Sequence, residues 1–265
     1  AKITIDDKSM DPKDAFGEIK DASEYTVKWV KQPEYGAAGV YDCRIELKDS
    51  HDNSRTVDLK VKVLGLIDVL EYEAGQPHPQ LKDFMAVERD DAKLLTDLNE
   101  ITWDELGDYE VKAEFGGKTY TSTLRIVDTT APDPDIVPAA VLPDGDIKAE
   151  NLVLGSGDAT EVSYEFTSEP KLSQVGAVEC KIKATDAGGN SVEKTGKVLV
   201  CDALVEFEAS TETLTEKMLI NALGADYAGY KMQDEGFELT SLGAHAVTIA
   251  KGDARAVIGV TVKDT

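Results

Sequence analysis

Four oxygen-bearing residues raise the question of chemistry first. Asp133 and Asp135 stand in the run "VDTTAPDPDIVP", and Asp186 and Asn190 bracket the stretch "DAGGN". Carboxylates and amide carbonyls are hard donors, and a cluster of them suits calcium. The competing account is local. Asp and Asn are common in turns because their side chains bond the nearby backbone. Little else has catalytic form. His51, His78 and His245 lie far apart along the chain, whereas zinc ligands cluster. No HExxH, GxSxG, P-loop or dinucleotide glycine signature occurs. The expectation is a protein that is not an enzyme.

Composition narrows the partners. The chain has 265 residues and a formal net charge of -23, from 51 acidic and 28 basic residues. Nucleic acids demand basic patches, and anionic lipid surfaces repel such a chain. The acidity attracts divalent cations or simply keeps the protein dispersed. No apolar run approaches the ~20 residues of a membrane helix, so no membrane insertion is expected. With 42% hydrophobic residues the chain can bury cores. It opens at Ala1 without a leader, as a mature or trimmed chain would. Cys43, Cys180 and Cys201 are an odd count without CxxC spacing. Cys43 and Cys180 fall at inward positions and read as small buried hydrophobes. Cys201 ends its strand, where exposure is open to it. A Cys180–Cys201 bridge stays open too, although hairpin register sets Cys180 nearer Lys197.

The elements that must position these residues are written four times. "GVYDCRIELKD", "GDYEVKAEFGG", "GAVECKIKATD" and "GAHAVTIAKGD" begin at Gly39, Gly107, Gly176 and Gly243, 67 to 69 residues apart. Each alternates apolar and polar residues, the mark of a half-buried strand. The inward sets are Tyr41, Cys43, Ile45 and Leu47; Tyr109, Val111, Ala113 and Phe115; Val178, Cys180, Ile182 and Ala184; and His245, Val247 and Ile249. A turn and an alternating return strand follow each, so every copy ends in a long hairpin.

Upstream, each copy has a short opening strand ("KITI", "DVLEYE", "DIVP", "LVEFEA") and then a turn or short helix. "TETLTEKMLINALG" is the clearest helix, capped by Ser or Thr and ended by Gly224. Asp11-Pro12 reads as an N-cap and first helical position. A middle strand such as "EYTVKWV" or "EVSYEFT" precedes the hairpin. The expected units are 1–64, 65–128, 129–201 and 202–265. A unit of this size is marginal alone and gains from stacking in a line. The Pro-rich segment from Asp128 to Pro138 should be extended and stiff, and the other junctions are nearly linkerless. A monomeric rod is expected.

The third hairpin, "GAVECKIKATDAGGNSVEKTGKVLV", and the junction "VDTTAPDPDI" resemble tandem bacterial immunoglobulin-like domains of cell-surface proteins and adhesins. The first copy keeps the long turn as "DSHDN"; the second and fourth have only short turns, "FGGK" and "KGDA". The resemblance implies an all-β fold, a tandem array of small immunoglobulin-like β-sandwiches with a short helix or turn after each first strand. It implies an extracellular place, at a bacterial cell surface or wall, and carries no catalytic residues.

In such a sandwich the linker entering a unit lies near that unit's hairpin turn, which would gather Asp133, Asp135, Asp186 and Asn190 around calcium. A second candidate is Lys251-Gly252-Asp253 at the last hairpin tip, which resembles an integrin-binding loop and is equally an ordinary turn. Trp29 and Trp103 could stack a sugar, but Trp29 alternates with Tyr25 and Val27 as a strand face does. Three functions follow: a stalk or spacer presenting another domain, an adhesin-type module recognising a host protein or glycan, or an accessory scaffold of a larger extracellular enzyme.

Overall fold

The computed structural model describes residues 1–16 and 24–264. The fold is all-β, a tandem series of four small repeats, each built on one four-stranded sheet, with only short helices. It divides into two compact bodies, Ala1–Val127 and Asp128–Thr265, each holding two repeats.

In the first body, the first repeat contains β1 (Lys2–Thr4), β2 (Tyr25–Lys31), β3 (Gly39–Asp49) and β4 (Ser54–Leu64), in the order β1-β4-β3-β2. Strand β1 runs parallel to β4, from Lys2 opposite Lys62 to Thr4 opposite Leu64. Asp11 caps a 3-10 turn, its carboxylate accepting the Lys13 N–H at 2.9 Å with Pro12 in the first turn. Cys43, Ile45, Val61 and Val63 form the inner face of the closing hairpin. The second repeat contains β5 (Val69–Glu73), β6 (Lys93–Leu94), β7 (Gly107–Phe115) and β8 (Lys118–Val127), ordered β5-β8-β7-β6. A 3-10 turn at Leu81–Phe84 and the Leu66–Met85 bridge lie over its sheet, so Phe84 and Met85 pack on Val111, Ala113 and Leu124. Leu64, Leu66 and Ile5 join that same core and tie the two repeats together.

In the second body, the third repeat has β9 (Asp135–Ile136), β10 (Ala139–Val141), β11 (Val153–Gly155), β12 (Ser163–Ser168), β13 (Gly176–Thr185) and β14 (Ser191–Val200). The main sheet is β10-β14-β13-β12, and β9 pairs with β11 in a small second sheet. This corrects the expected opening strand. Asp135–Ile136 does not pair with the closing strand; Ala139–Val141 does, in parallel, beyond the break made by Pro138, which has no N–H for a ladder. The fourth repeat has β15 (Ala203–Glu208), β16 (Lys231–Met232), β17 (Gly243–Lys251) and β18 (Ala254–Lys263), ordered β15-β18-β17-β16. Its helix α1 (Glu216–Leu223) begins at Thr215, whose Oγ1 accepts the Met218 N–H at 3.3 Å, and ends at Gly224 with φ +86°. Leu214 and Leu219 drop from this segment into the core over Val247, Ile249 and Val260.

Two residues separate β14 from β15, and the joint there is apolar. Leu199, Cys201 and Ala244 are buried together, with Ala140 and Val257 against them. The Ala244 N–H donates to Pro138 O at 2.7 Å, and Asp202 exchanges two bonds with Val257. Gly259 lies under this joint. A Cβ there would sit 2.7 Å from the Ala140 methyl and 2.8 Å from Leu204. The outer faces of the hairpins reflect the cover. In the third repeat that face carries Glu179, Lys181, Lys183, Glu193 and Lys197; in the fourth it carries Ala244, Ala246, Thr248, Ala250, Val257 and Gly259, with Arg255 toward the turn. Charges are absent where the preceding repeat lies on the sheet, because burying them unpaired costs several kcal/mol, roughly.

Candidate cation site at the third hairpin

The site is built on the turn between β13 and β14. Asp186 accepts the Asn190 N–H at 2.8 Å on Oδ1, and the Asn190 amide donates to Oδ2 at 3.0 Å. The same amide reaches Asp128 O at 2.9 Å, fixing the incoming linker on the turn. Gly188 permits this approach. A Cβ there would lie 2.2 Å from Asp128 O.

With the linker seated, the carboxylates of Asp128, Asp158 and Asp186 converge, one oxygen from each within 4.8 Å of the others. Asp128 and Asp186 are buried, at 7% and 6% exposure. The Thr160 hydroxyl stands 2.6 Å from Asp128 Oδ2 and 3.0 Å from Asp158 Oδ1. A hydroxyl has one proton, so it donates to one of these at a time. Asp158 also accepts the Thr160 N–H at 2.8 Å, and Asp128 accepts the Thr130 N–H at 3.1 Å. Among the described residues no Lys, Arg or His forms an ion pair with the three. Three like charges with oxygen ligands and mutual repulsion fit a hard divalent cation.

The structure brings together only half of the sequence candidates. Asp186 and Asn190 meet at the turn. Asp133 instead pairs with Lys194 Nζ at 2.5 Å, and Asp135 sits exposed on β9 opposite Gly155. Asp128, Asp158 and Thr160 were missed. Asp128 was visible as the first residue of Asp-Thr-Thr-Ala-Pro; nothing local marks Asp158 and Thr160. Gly252 and Asp253 form an exposed two-residue tip and Lys251 ends the strand before it, with Lys251 Nζ bonded to Ala228 O at 2.8 Å.

The other singled-out residues are occupied structurally. Trp29 donates its indole N–H to Met10 O at 3.0 Å. Trp103 stacks on His78 with ring centres 4.2 Å apart and meets the Tyr72 ring at 5.0 Å, which takes up the face a sugar would need. His245 Nε2 donates to Ser241 O, 2.8 Å away. The three thiols are free and buried. Cys180 stands opposite Gly196, and Cys201 is fully covered by the fourth repeat rather than exposed at a strand end. Burial pushes the Cys201 thiol up to about 11, with Asp202 adding to the shift.

No protein-family model matches the chain, and no curated protein does. Among solved structures it is similar to the human desmocollin-1 ectodomain, at 12% identity over 92% of this chain and 72% of that one, TM-score 0.19. It is similar to a protocadherin gamma-B7 EC3-6 cis-dimer structure, at 12% identity over 98% of both chains, TM-score 0.22. A Bacteroides ovatus protein, SGBP-B of a mixed-linkage glucan utilization locus in complex with a heptasaccharide, matches at 13% identity over 68% of this chain and 61% of that one, TM-score 0.16. Likenesses of this size carry no argument about function. The class of the chain, a tandem array of small all-β repeats, rests on its own sheets and registers. No described helix is long and apolar enough to cross a membrane.

Proposed function

We propose that this chain is a non-catalytic spacer of an extracellular protein, at a bacterial cell surface or wall, holding another domain away from that surface. The observation that carries the reading is the buried joint between the third and fourth repeats. A two-residue connection with Leu199, Cys201 and Ala244 sealed inside it resists bending. A spacer needs that property, and a hinge would lack it. The third hairpin site extends the reading. Calcium held by Asp128, Asp158 and Asp186 would pin the linker to the turn and stiffen the entry to the third repeat in the same way.

The test is replacement in the full-length protein on its cell. Exchanging residues 129–265 for an unrelated rigid segment of equal length should preserve function if the chain is a spacer. Loss of attachment to a host protein or glycan after that exchange would identify an adhesin module instead.

A further inference from the structure

Every repeat shares one feature that the spacer role does not require. Its opening strand is the direct parallel neighbour of its closing strand: β1 on β4, β5 on β8, β10 on β14 and β15 on β18. Chain therefore enters each repeat at one end of a parallel pair and leaves at the other. Tension along the chain slides the two strands past one another, so the hydrogen bonds between them must fail together. Pulling a hairpin apart from its open end breaks its bonds one after another. Parallel pairing thus resists tension where it counts, at both ends of each repeat.

The pairs are unequal. The first repeat has three register positions, Lys2–Lys62 to Thr4–Leu64, and the third has three, Ala139–Val198 to Val141–Val200. The second has five, Val69–Thr123 to Glu73–Val127, and the fourth has six, Ala203–Ile258 to Glu208–Lys263. In the third repeat Ala140 is additionally packed into the joint against the fourth. Upstream of it, the antiparallel β9–β11 pair peels rather than slides.

We propose that the four repeats are graded tension-resisting elements. The first and third open at the lower forces and the second and fourth last, so the chain lengthens in steps while its longest parallel pairs hold. For its use this rests on the spacer reading, since a spacer under pull is where grading matters. The order of opening itself is a property of the strands and is measured apart from that reading.

Natural thiols report the order. Cys43 lies in the first repeat and Cys180 and Cys201 in the third, all buried, while the second and fourth contain none. The full chain is held by its two ends in a single-molecule tweezer, with a thiol-reactive maleimide dye in solution. Each opening of roughly 65 residues should lengthen the chain by about 200 Å. The expected record is two early steps that label thiols, one of them a single thiol and the other two, and later steps at several-fold slower opening rates that label none. A first step without labelling would overturn the proposal. So would opening of all repeats in one step, or all four at one common force. Any of these results leaves the replacement test of the spacer reading standing.

Discussion

Two hairpin turns in this protein are the same turn with different consequences. In the first repeat Asp49 accepts the Asn53 N–H at 2.9 Å on Oδ1 and the Asn53 amide at 2.8 Å on Oδ2. In the third, Asp186 and Asn190 repeat both bonds. The fourth turn residue has positive φ in each, +66° at Asp52 and +86° at Gly189. Turn geometry alone therefore accounts for Asp and Asn at these places. The middle residue differs, His51 in one and Gly188 in the other. The bare glycine lets the Asp128 carbonyl settle on the third turn, and among the described residues three carboxylates converge only there.

Making the third turn like the first should have the largest effect. Gly188→His forces backbone apart at Asp128 and should cost about 2–3 kcal/mol in the second body, seen as a lowered denaturant midpoint. The converse His51→Gly should stay within about 0.5 kcal/mol. Next comes Thr160→Val, which removes the hydroxyl shared by Asp128 and Asp158 and should cost about 1–3 kcal/mol. Calcium sharpens the contrast at smaller scale. Millimolar calcium should raise the melting temperature of the second body and leave the first unmoved, with Asp158→Asn abolishing the rise; no heat of binding and no shift would remove the cation from the account. The smallest effect is at the exposed first turn. Asn53 and the turn amides hold the Asp49 carboxyl below the usual carboxylate range. A depressed folded value means the stabilisation is present above the unfolded value and fades as pH falls through the folded one. Titration of Asp49 by NMR should show that lowered midpoint, and Asn53→Ala should return it toward normal.

These contrasts also show what a sequence displays. The inward sets of all four closing hairpins were readable because period-two alternation is local, and every residue in them is buried or half-buried. The caps at Asp11 and Thr215 were readable for the same reason. Asp128, Asp158 and Thr160 were not, because a linker, a loop and a turn meet only after the sheet has formed. Asp133 entered the sequence account because the linker was expected to lie near the turn, yet Lys194 on β14 holds it. The parallel pairing of opening and closing strands links residues about sixty apart, beyond any local pattern. One long-range signal was legible and went unused. The fourth hairpin's outer face reads Ala244, Ala246, Thr248, Ala250, Val257 and Gly259, with a charge only toward the turn at Arg255, where the third reads a row of charges, and its Ala244 and Gly259 are the residues the joint covers.

The claim beneath all of this is that the third and fourth repeats form one stiff piece, sealed at Leu199, Cys201 and Ala244. Native-state hydrogen exchange on the whole chain tests it most directly, at the Ala244 N–H bonded to Pro138 O and the Asp202 N–H bonded to Val257 O. The account expects both to exchange only with the opening that releases the core amides of Val198 and Ile249. Exchange at these two sites orders of magnitude faster than in those cores would make the joint a hinge and contradict the account.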